Sequence, residues 1–383
     1  MMNQFAIGPQ VRFGVNALEG VADMPARQAL LITDKSMVKF GMADRIISAW
    51  HQRNVAWQMF DDVLPDPDVA QLVRGMKVMD SHWPELLVAL GGGSVIDAAK
   101  AMLFMLCQKY PQRPRPQFVA IPTTSGTGSE VTSFSVVTAE GEKQVLVDDF
   151  MLPDVAILDP TLVSSVPPGV TADTGMDVLC HALEAYVSRN ASDFSDALAE
   201  KAVRLVFDWL PGCWRQGNSL DARAKMHSAS CIAGMAFTNA GLGITHSLAH
   251  ALGAAFHIPH GRANALLMAH VVAFNAGFSG CCDNSAARRY AALAGMLGLP
   301  AATTREGVAS LLLAITTLRD SLEIPASLSA AGIGREALEA RLPEMVALAG
   351  ADRCTPTNPL AVDARTLTAL YRHAFAGTPF NAM

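Results

Sequence analysis

Leu86-Leu87-Val88-Ala89-Leu90-Gly91-Gly92-Gly93-Ser94-Val95-Ile96-Asp97-Ala98-Ala99-Lys100 is an apolar run, a glycine triplet and then a stretch with helical periodicity. An unbroken apolar run of that length reads as a strand buried on both faces, and Ser94–Cys107 reads as the helix after it. Outward from this point, Ala29–Thr33 and Phe118–Ile121 read as further strands. Met42–Trp50 reads as a helix, as does Asp68–Met79 after the Pro65-Asp66-Pro67 break. Strands separated by helices predict right-handed βαβ units and a parallel sheet.

From about Pro167 the pattern changes. Gly175–Ser188, Phe194–Trp209, Asp221–Phe237, Gly243–Ala255 and Asn264–Asn275 are rich in Ala, Leu and Met and carry helical period without β-alternation. The expectation is an α/β domain over residues 1–166 and an all-helical domain over 167–383, two cores being usual for a chain of 383 residues. Hydrophobic residues make up 51 % and charged residues 17 %, which suits a compact enzyme and argues against disorder. A net charge of −6 gives no reason to expect nucleic acid or an anionic membrane as partner. Runs such as Leu311–Ile315 are far short of a bilayer span. The start, Met1-Met2-Asn3-Gln4-Phe5, lacks the basic and apolar regions of a secretory signal. Seven scattered cysteines without a C-x-x-C pair read as reduced thiols, so a cytoplasmic protein is expected.

The glycine turn brings backbone close to whatever sits above it, and a helix N-terminus offers free N–H groups to a phosphate. A tight turn without a ligand reads the same way. Gly91-x-Gly93 has Ile96 where a third glycine completes the common dinucleotide fingerprint, and no Gly-Lys-Ser/Thr ending follows. A second polar run, Ile121-Pro122-Thr123-Thr124-Ser125-Gly126-Thr127-Gly128-Ser129-Glu130-Val131-Thr132, also leaves a strand. Two such loops at the C-terminal ends of parallel strands make the mouth of a nucleotide site. Asp34, at the end of Ala29–Thr33, suits a ribose diol and repels a 2′-phosphate, which favours NAD; it suits a helix N-cap equally.

Four of the ten histidines fall at 246, 250, 257 and 260. His246 and His250 are i, i+4 on one helix face, as are Asp177 and His181, and Ile258-Pro259-His260-Gly261 adds a histidine at a turn. Burying so many polar groups is costly unless a cation compensates, and nitrogen and oxygen donors suit Fe²⁺ or Zn²⁺ over Ca²⁺ or Mg²⁺. Spacing alone lets His246 and His250 chelate one ion together. His257 reads as loop packing, and Cys180 is expected to point elsewhere on its helix.

The ordered set GGGSVIDAAK, IPTTSGTGSEVT, DVAILDP, TGMDVLCHALEAYVS, AGMAF, GLGITHSLAH and HIPHGRANA resembles the iron-containing (group III) alcohol dehydrogenases, from Asp34 to Asn358-Pro359. The resemblance implies an N-terminal Rossmann-like domain with a parallel sheet, an all-helical C-terminal domain (the fold shared with dehydroquinate synthase) and a cleft between them. It implies a metal, Fe²⁺ or Zn²⁺, on Asp177, His181, His246 and His260, with His250 off the metal and serving proton transfer. On the NAD side it implicates Asp34, Asp66, Gly92, Gly93, Ser94, Asp97, Thr123, Thr124, Thr127, Thr132, Val136 and Lys143. The implied substrate is a small primary alcohol or aldehyde, and the implied assembly a homo-oligomer, a dimer. VSRNASDFSDALAEKAVRLVF and KMHSASCIAGMAF are most like the members of propanediol and ethanolamine utilisation, which associate with bacterial microcompartments.

Three positions depart from the family pattern: Asp66 stands where many relatives have Asn, Phe134 where some are polar, and Leu360 where an arginine is usual. No Tyr-x-x-x-Lys occurs, which removes a tyrosine-based dehydrogenase mechanism. A metal- and NAD-dependent sugar-phosphate cyclase shares the fold, but it needs a Lys/Arg cluster that the helical half lacks around its metal motifs. A non-catalytic shell role has no use for a full ligand set.

Overall fold

The computed structural model describes residues 4–139, 142–378 and 380, with the side chains of Glu142 and Lys143 outside the described set. Its strands are β1 Gln10–Phe13, β2 Gln28–Ile32, β3 Ala56–Phe60, β4 Leu86–Gly91, β5 Gln117–Pro122, β6 Phe134–Ala139, β7 Glu142–Val147 and β8 Val155–Leu158. The helices α1 Lys35–Lys39, α2 Met42–Gln52, α3 Val69–Ser81 and α4 Gly93–Lys109 alternate with the first strands. After β8 come α5 Pro168–Val187, α6 Asp193–Arg215, α7 Leu220–Ala240, α8 Ile244–Phe256 and α9 His260–Asn275. The last helices are α10 Ser285–Met296, α11 Thr304–Ser321, α12 Arg335–Ala351 and α13 Ala364–Ala376. None of the described helices is long and apolar enough to cross a membrane.

Six strands form one parallel sheet in the order β1-β8-β5-β4-β2-β3, and β6 pairs β7 antiparallel as a separate ribbon. Alternation along β4 explains its unbroken apolar sequence. Leu87 and Ala89 enter the core on one face, and Leu86, Val88 and Leu90 enter the core on the other. Between β2 and β4 the strand order reverses direction, which places Asp34 and the glycine triplet at a topological switch point. The β4–β5 register pairs Gly91 with Pro122, so the two polar loops leave the sheet side by side.

Contacts divide the chain into two compact units: Ala6–Val166 with Asn218–Thr238, and Pro167–Gly217 with Asn239–Met383, to which Phe5 joins by stacking on Phe194. One uninterrupted helical domain over 167–383 is therefore corrected, because most of α7 belongs to the α/β unit. Its Cys231 and Met235 pack with Val131, Ala156 and Leu158. Gly128, at φ +64°, lies so near the helix that an added Cβ would meet Gly234 Cα at 2.8 Å. Sequence alternation also leaves β1, β3, β8 and the β6–β7 ribbon unannounced, each being short or lacking a clear period.

Within the α/β unit, a buried cation ties the second polar loop to α4. Lys100 Nζ donates to Ser129 O (2.6 Å), Phe134 O (2.8 Å), Thr132 Oγ1 (2.9 Å) and Ser129 Oγ (3.0 Å). Burial pushes its pKa down to about 8, against the charges of Asp97 and Glu130. In the helical unit, α5 packs on α6 and α9, and α8 on α9 and α12. Gly261 sits where α9 crosses α5 with no room for a side chain, since a Cβ there would overlap the Asp173 carbonyl. The adjacent Arg262 pairs with the Asp173 carboxylate.

Two outcomes follow. Lys100→Met leaves buried acceptors unpaired and is expected to destabilise the protein by about 2–3 kcal/mol, with faster amide exchange over residues 129–136. Unchanged exchange there would show that the loop holds itself. Gly261→Ala forces α5 and α9 apart and is expected to cost about 1–3 kcal/mol in denaturant unfolding, whereas a neutral result would mean the crossing has slack.

Candidate metal centre and nucleotide-binding loops

At the switch point Asp34 caps α1, its carboxylate accepting from Ser36 N (2.7 Å) and Met37 N (3.1 Å). The capping reading of this residue is the one that its contacts show. Gly92 is the N-cap of α4 and supplies no capping side chain, so the first turn of a long helix keeps N–H groups for an anion. Gly93 faces Thr127, whose Cγ2 would lie 2.9 Å from an added Cβ, and Thr124 lies over Gly92. Ser94 Oγ accepts from Asp66 N (3.4 Å), while Asp66 itself is exposed with a left-handed backbone, φ +53°. Thr123 N donates to Gly91 O (3.0 Å), joining the two loops at their roots.

Asp97 and Thr132 face protein partners. The Asp97 carboxylate accepts from Ser129 Oγ (2.6 Å) and Val136 N (3.0 Å), and Thr132 accepts from Lys100. These bonds, with Val136 N as a donor, brace the second polar loop. Phe134 stacks on Phe237 at 6.2 Å between centroids. Ser125 Oγ lies 2.9 Å from His227 Nδ1 on α7, a third tie between loop and helix. The side chain of Lys143 lies outside the described residues. Lys100 was missed as a site-builder, although it stands one helical turn after Asp97, on the same face.

The metal-type residues come from three helices. Asp177 and His181 lie one turn apart on α5, His246 is in the first turn of α8, and His260 opens α9. One ligand atom from each of the four lies within 4.8 Å of every other. Asp177 Oδ1 is 3.5 Å from His260 Nε2, 3.7 Å from His246 Nε2 and 4.0 Å from His181 Nε2. Donors around a tetrahedral ion with ~2.0–2.1 Å bonds stand roughly 3.4 Å apart, so the set fits a transition-metal cation with little movement.

Electrostatics agrees with that fit. Burial alone pushes the Asp177 carboxyl up, but His181, His260 and His246 outweigh it and hold it well below the usual range. Burial pushes His260 down to about 3 against the pull of Asp177, leaving its imidazole neutral with a free lone pair. Asn264 supplies a further sign. Its Nδ2 approaches Asp177 Oδ1 (2.6 Å), His260 Nε2 (3.1 Å) and His246 Nε2 (3.3 Å), while its own buried Oδ1 has no partner. An amide turned toward three lone pairs at that cost is what a donor set built for a cation produces.

His250 is set apart from the four. Its Nδ1 lies 2.8 Å from Asp352 Oδ2, and its ring stacks on His260 at 5.3 Å. Burial raises Asp352, but His250 and Cys354 N bring it down to about 2, so it is a carboxylate at neutral pH. His257 ends α8 in a left-handed conformation, φ +55°. Cys180 corrects an expectation: instead of pointing away, its Sγ lies 3.7 Å from His246 Nδ1. On that same side Glu184 Oε2 lies 2.7 Å from His246 Nδ1. Asn264 is i+4 from His260 and Glu184 is i+7 from Asp177, so the spacing that found the ligands could have found both. Asp352 carries no local signal, since only the tertiary fold brings it to His250.

Comparison with known proteins finds matches in both halves of the chain. Residues 8–160 match the iron-containing alcohol dehydrogenase model, and 171–375 match the model of the C-terminal part of the Fe-containing alcohol dehydrogenase family. The chain is 43 % identical to the 1-propanol dehydrogenase PduQ of Citrobacter freundii, over 96 % of this chain and 99 % of that one. Its fold resembles the crystal structure of 1,3-propanediol oxidoreductase, with a TM-score of 0.89, 33 % identity and coverage of 98 % and 100 %. It also resembles the sulfoacetaldehyde reductase of Bifidobacterium kashiwanohense in complex with NAD⁺, with a TM-score of 0.86, 30 % identity and coverage of 99 % and 100 %. Matched across both halves and nearly its whole length, the chain belongs to the iron-containing alcohol dehydrogenases.

Proposed function

We propose that this enzyme passes hydride between NAD(H) and a short-chain primary alcohol or its aldehyde, the pairs being 1-propanol/propionaldehyde and ethanol/acetaldehyde. The observation that carries this reading is the convergence of Asp177, His181, His246 and His260 on one buried point. These four residues would hold Fe²⁺, or Zn²⁺ on the same donors. Bound there, the cation supplies Lewis acidity toward an alcohol or carbonyl oxygen. The nicotinamide supplies the hydride acceptor or donor.

The side chains do the rest. The glycine turn and the N-terminus of α4 hold the pyrophosphate, and the threonines of the second loop grip the cofactor while Lys100 and Asp97 brace that loop. Asp34 selects NAD by placing a carboxylate where NADP carries a phosphate. His250 moves the substrate hydroxyl proton: Asp352 fixes its Nδ1, which leaves Nε2 to accept or release the proton. A sugar-phosphate cyclase is disfavoured, since Arg262 beside the donors is already tied to Asp173. Residence in a bacterial microcompartment rests on the likeness of residues 187–207 and 225–237 to enzymes of propanediol and ethanolamine utilisation, and a homodimer on the family resemblance alone.

An anaerobic screen of C2–C4 aldehydes with NADH and NADPH, with Fe²⁺ and Zn²⁺ added separately, tests the reading. Metal-dependent oxidation of NADH, faster than that of NADPH, is expected; turnover indifferent to chelation would refute it. His250→Ala is expected to keep its metal while kcat falls by about 10²-fold or more and the pH profile flattens. Asp352→Asn should give a smaller fall in the same direction. Loss of metal from His250→Ala would instead make His250 a ligand.

A further inference from the structure

Glu184 is a buried carboxylate that metal binding and hydride transfer leave without a role. Its two oxygens are fully engaged: Oε1 accepts from Thr245 N (2.6 Å), and Oε2 accepts from Gly243 N (2.9 Å) while lying 2.7 Å from His246 Nδ1. Gly243 is the N-cap of α8 and has no side chain to cap it. Glu184, reaching across from α5, takes over that task together with Asn358, whose Oδ1 accepts from Ile244 N (3.4 Å).

A carboxylate already accepting two backbone N–H groups has nothing to donate, so the hydrogen on the His246–Glu184 contact must come from Nδ1. In the neutral imidazole that a cation binds, the lone pair then sits on Nε2, which lies 3.7 Å from Asp177 Oδ1 and 3.3 Å from Asn264 Nδ2. Had the proton been on Nε2, a lone pair would face the carboxylate and an N–H would face the ligand point. We infer that Glu184 is a positioning residue that holds His246 in the metal-competent tautomer and fixes the start of α8, coupling the helix terminus to the ligand shell. The inference rests on the proposed shell of Asp177, His181, His246 and His260.

The test is Glu184→Gln. The amide can satisfy one backbone N–H through its oxygen, but its NH₂ then faces Nδ1 and favours the opposite tautomer. Zn²⁺ dissociation constants by chelator competition should rise about 10- to 100-fold, with the melting point of the metal-free variant changing far less than that of Glu184→Ala. An affinity equal to wild type would overturn the role of Glu184 and leave the shell intact, whereas wild-type protein that binds no Zn²⁺ would remove the shell itself. A second measurement needs no variant of Glu184. In ¹⁵N-histidine spectra of the Zn²⁺-loaded wild type, the resonance missing from His246→Gln should carry its proton on Nδ1, and a proton on Nε2 would overturn the assignment.

Discussion

Lone pairs brought together without a positive charge repel one another, and in the helical unit four sets of them meet inside protein. Asp177, His181 and His246 are each less than 5 % exposed, so water screens them poorly, while the His260 side chain is 36 % exposed. Every nearby feature works to hold them there. Gly261 lets α9 press on α5, Arg262 locks the crossing through Asp173, and Glu184 with Asn358 closes the start of α8. Asn264 offers two amide hydrogens to a site that a divalent cation would satisfy far better.

In the proposed reading the α/β unit meets a different problem, the binding of a large anion by neutral backbone. It does so with topology: two loops leave adjacent strands at a point where the strand order reverses. Such loops are rich in glycine and hydroxyl residues and so tend to be mobile. Lys100 and Asp97, on the buried face of α4, counter this by bonding the 129–136 segment from beneath. Asp97 and Thr132 thus contribute to the stiffness of this loop through their bonds to Ser129, Val136 and Lys100.

Much of this was legible in the sequence. Long apolar runs and helical spacing announce β2, β4, β5 and helices α2 to α9, but not α1 or α10 to α13, and two i, i+4 pairs mark the faces of α5 and α8 that carry Asp177, His181 and His246. Short edge or ribbon strands such as β1 and β6 carry too few residues to show a period. The place of α7 was hidden because periodicity says that a helix buries a face, not against what. Asn264 and Glu184 lie within reach of the same spacing rule, but an amide and a carboxylate one turn beyond a ligand look like ordinary helix polarity. Asp352 was beyond any local rule: it lies 102 residues from His250.

On the proposed reading the helical unit is built around one divalent cation. The most direct measurement is an anaerobic titration of Fe²⁺ into chelator-stripped protein, followed by calorimetry and by thermal unfolding at each metal level. One equivalent bound per chain is expected, with an unfolding temperature that climbs as free metal exceeds Kd, equivalent to about 2.7 kcal/mol at a hundredfold excess. Non-saturating uptake with an unchanged unfolding temperature would contradict it.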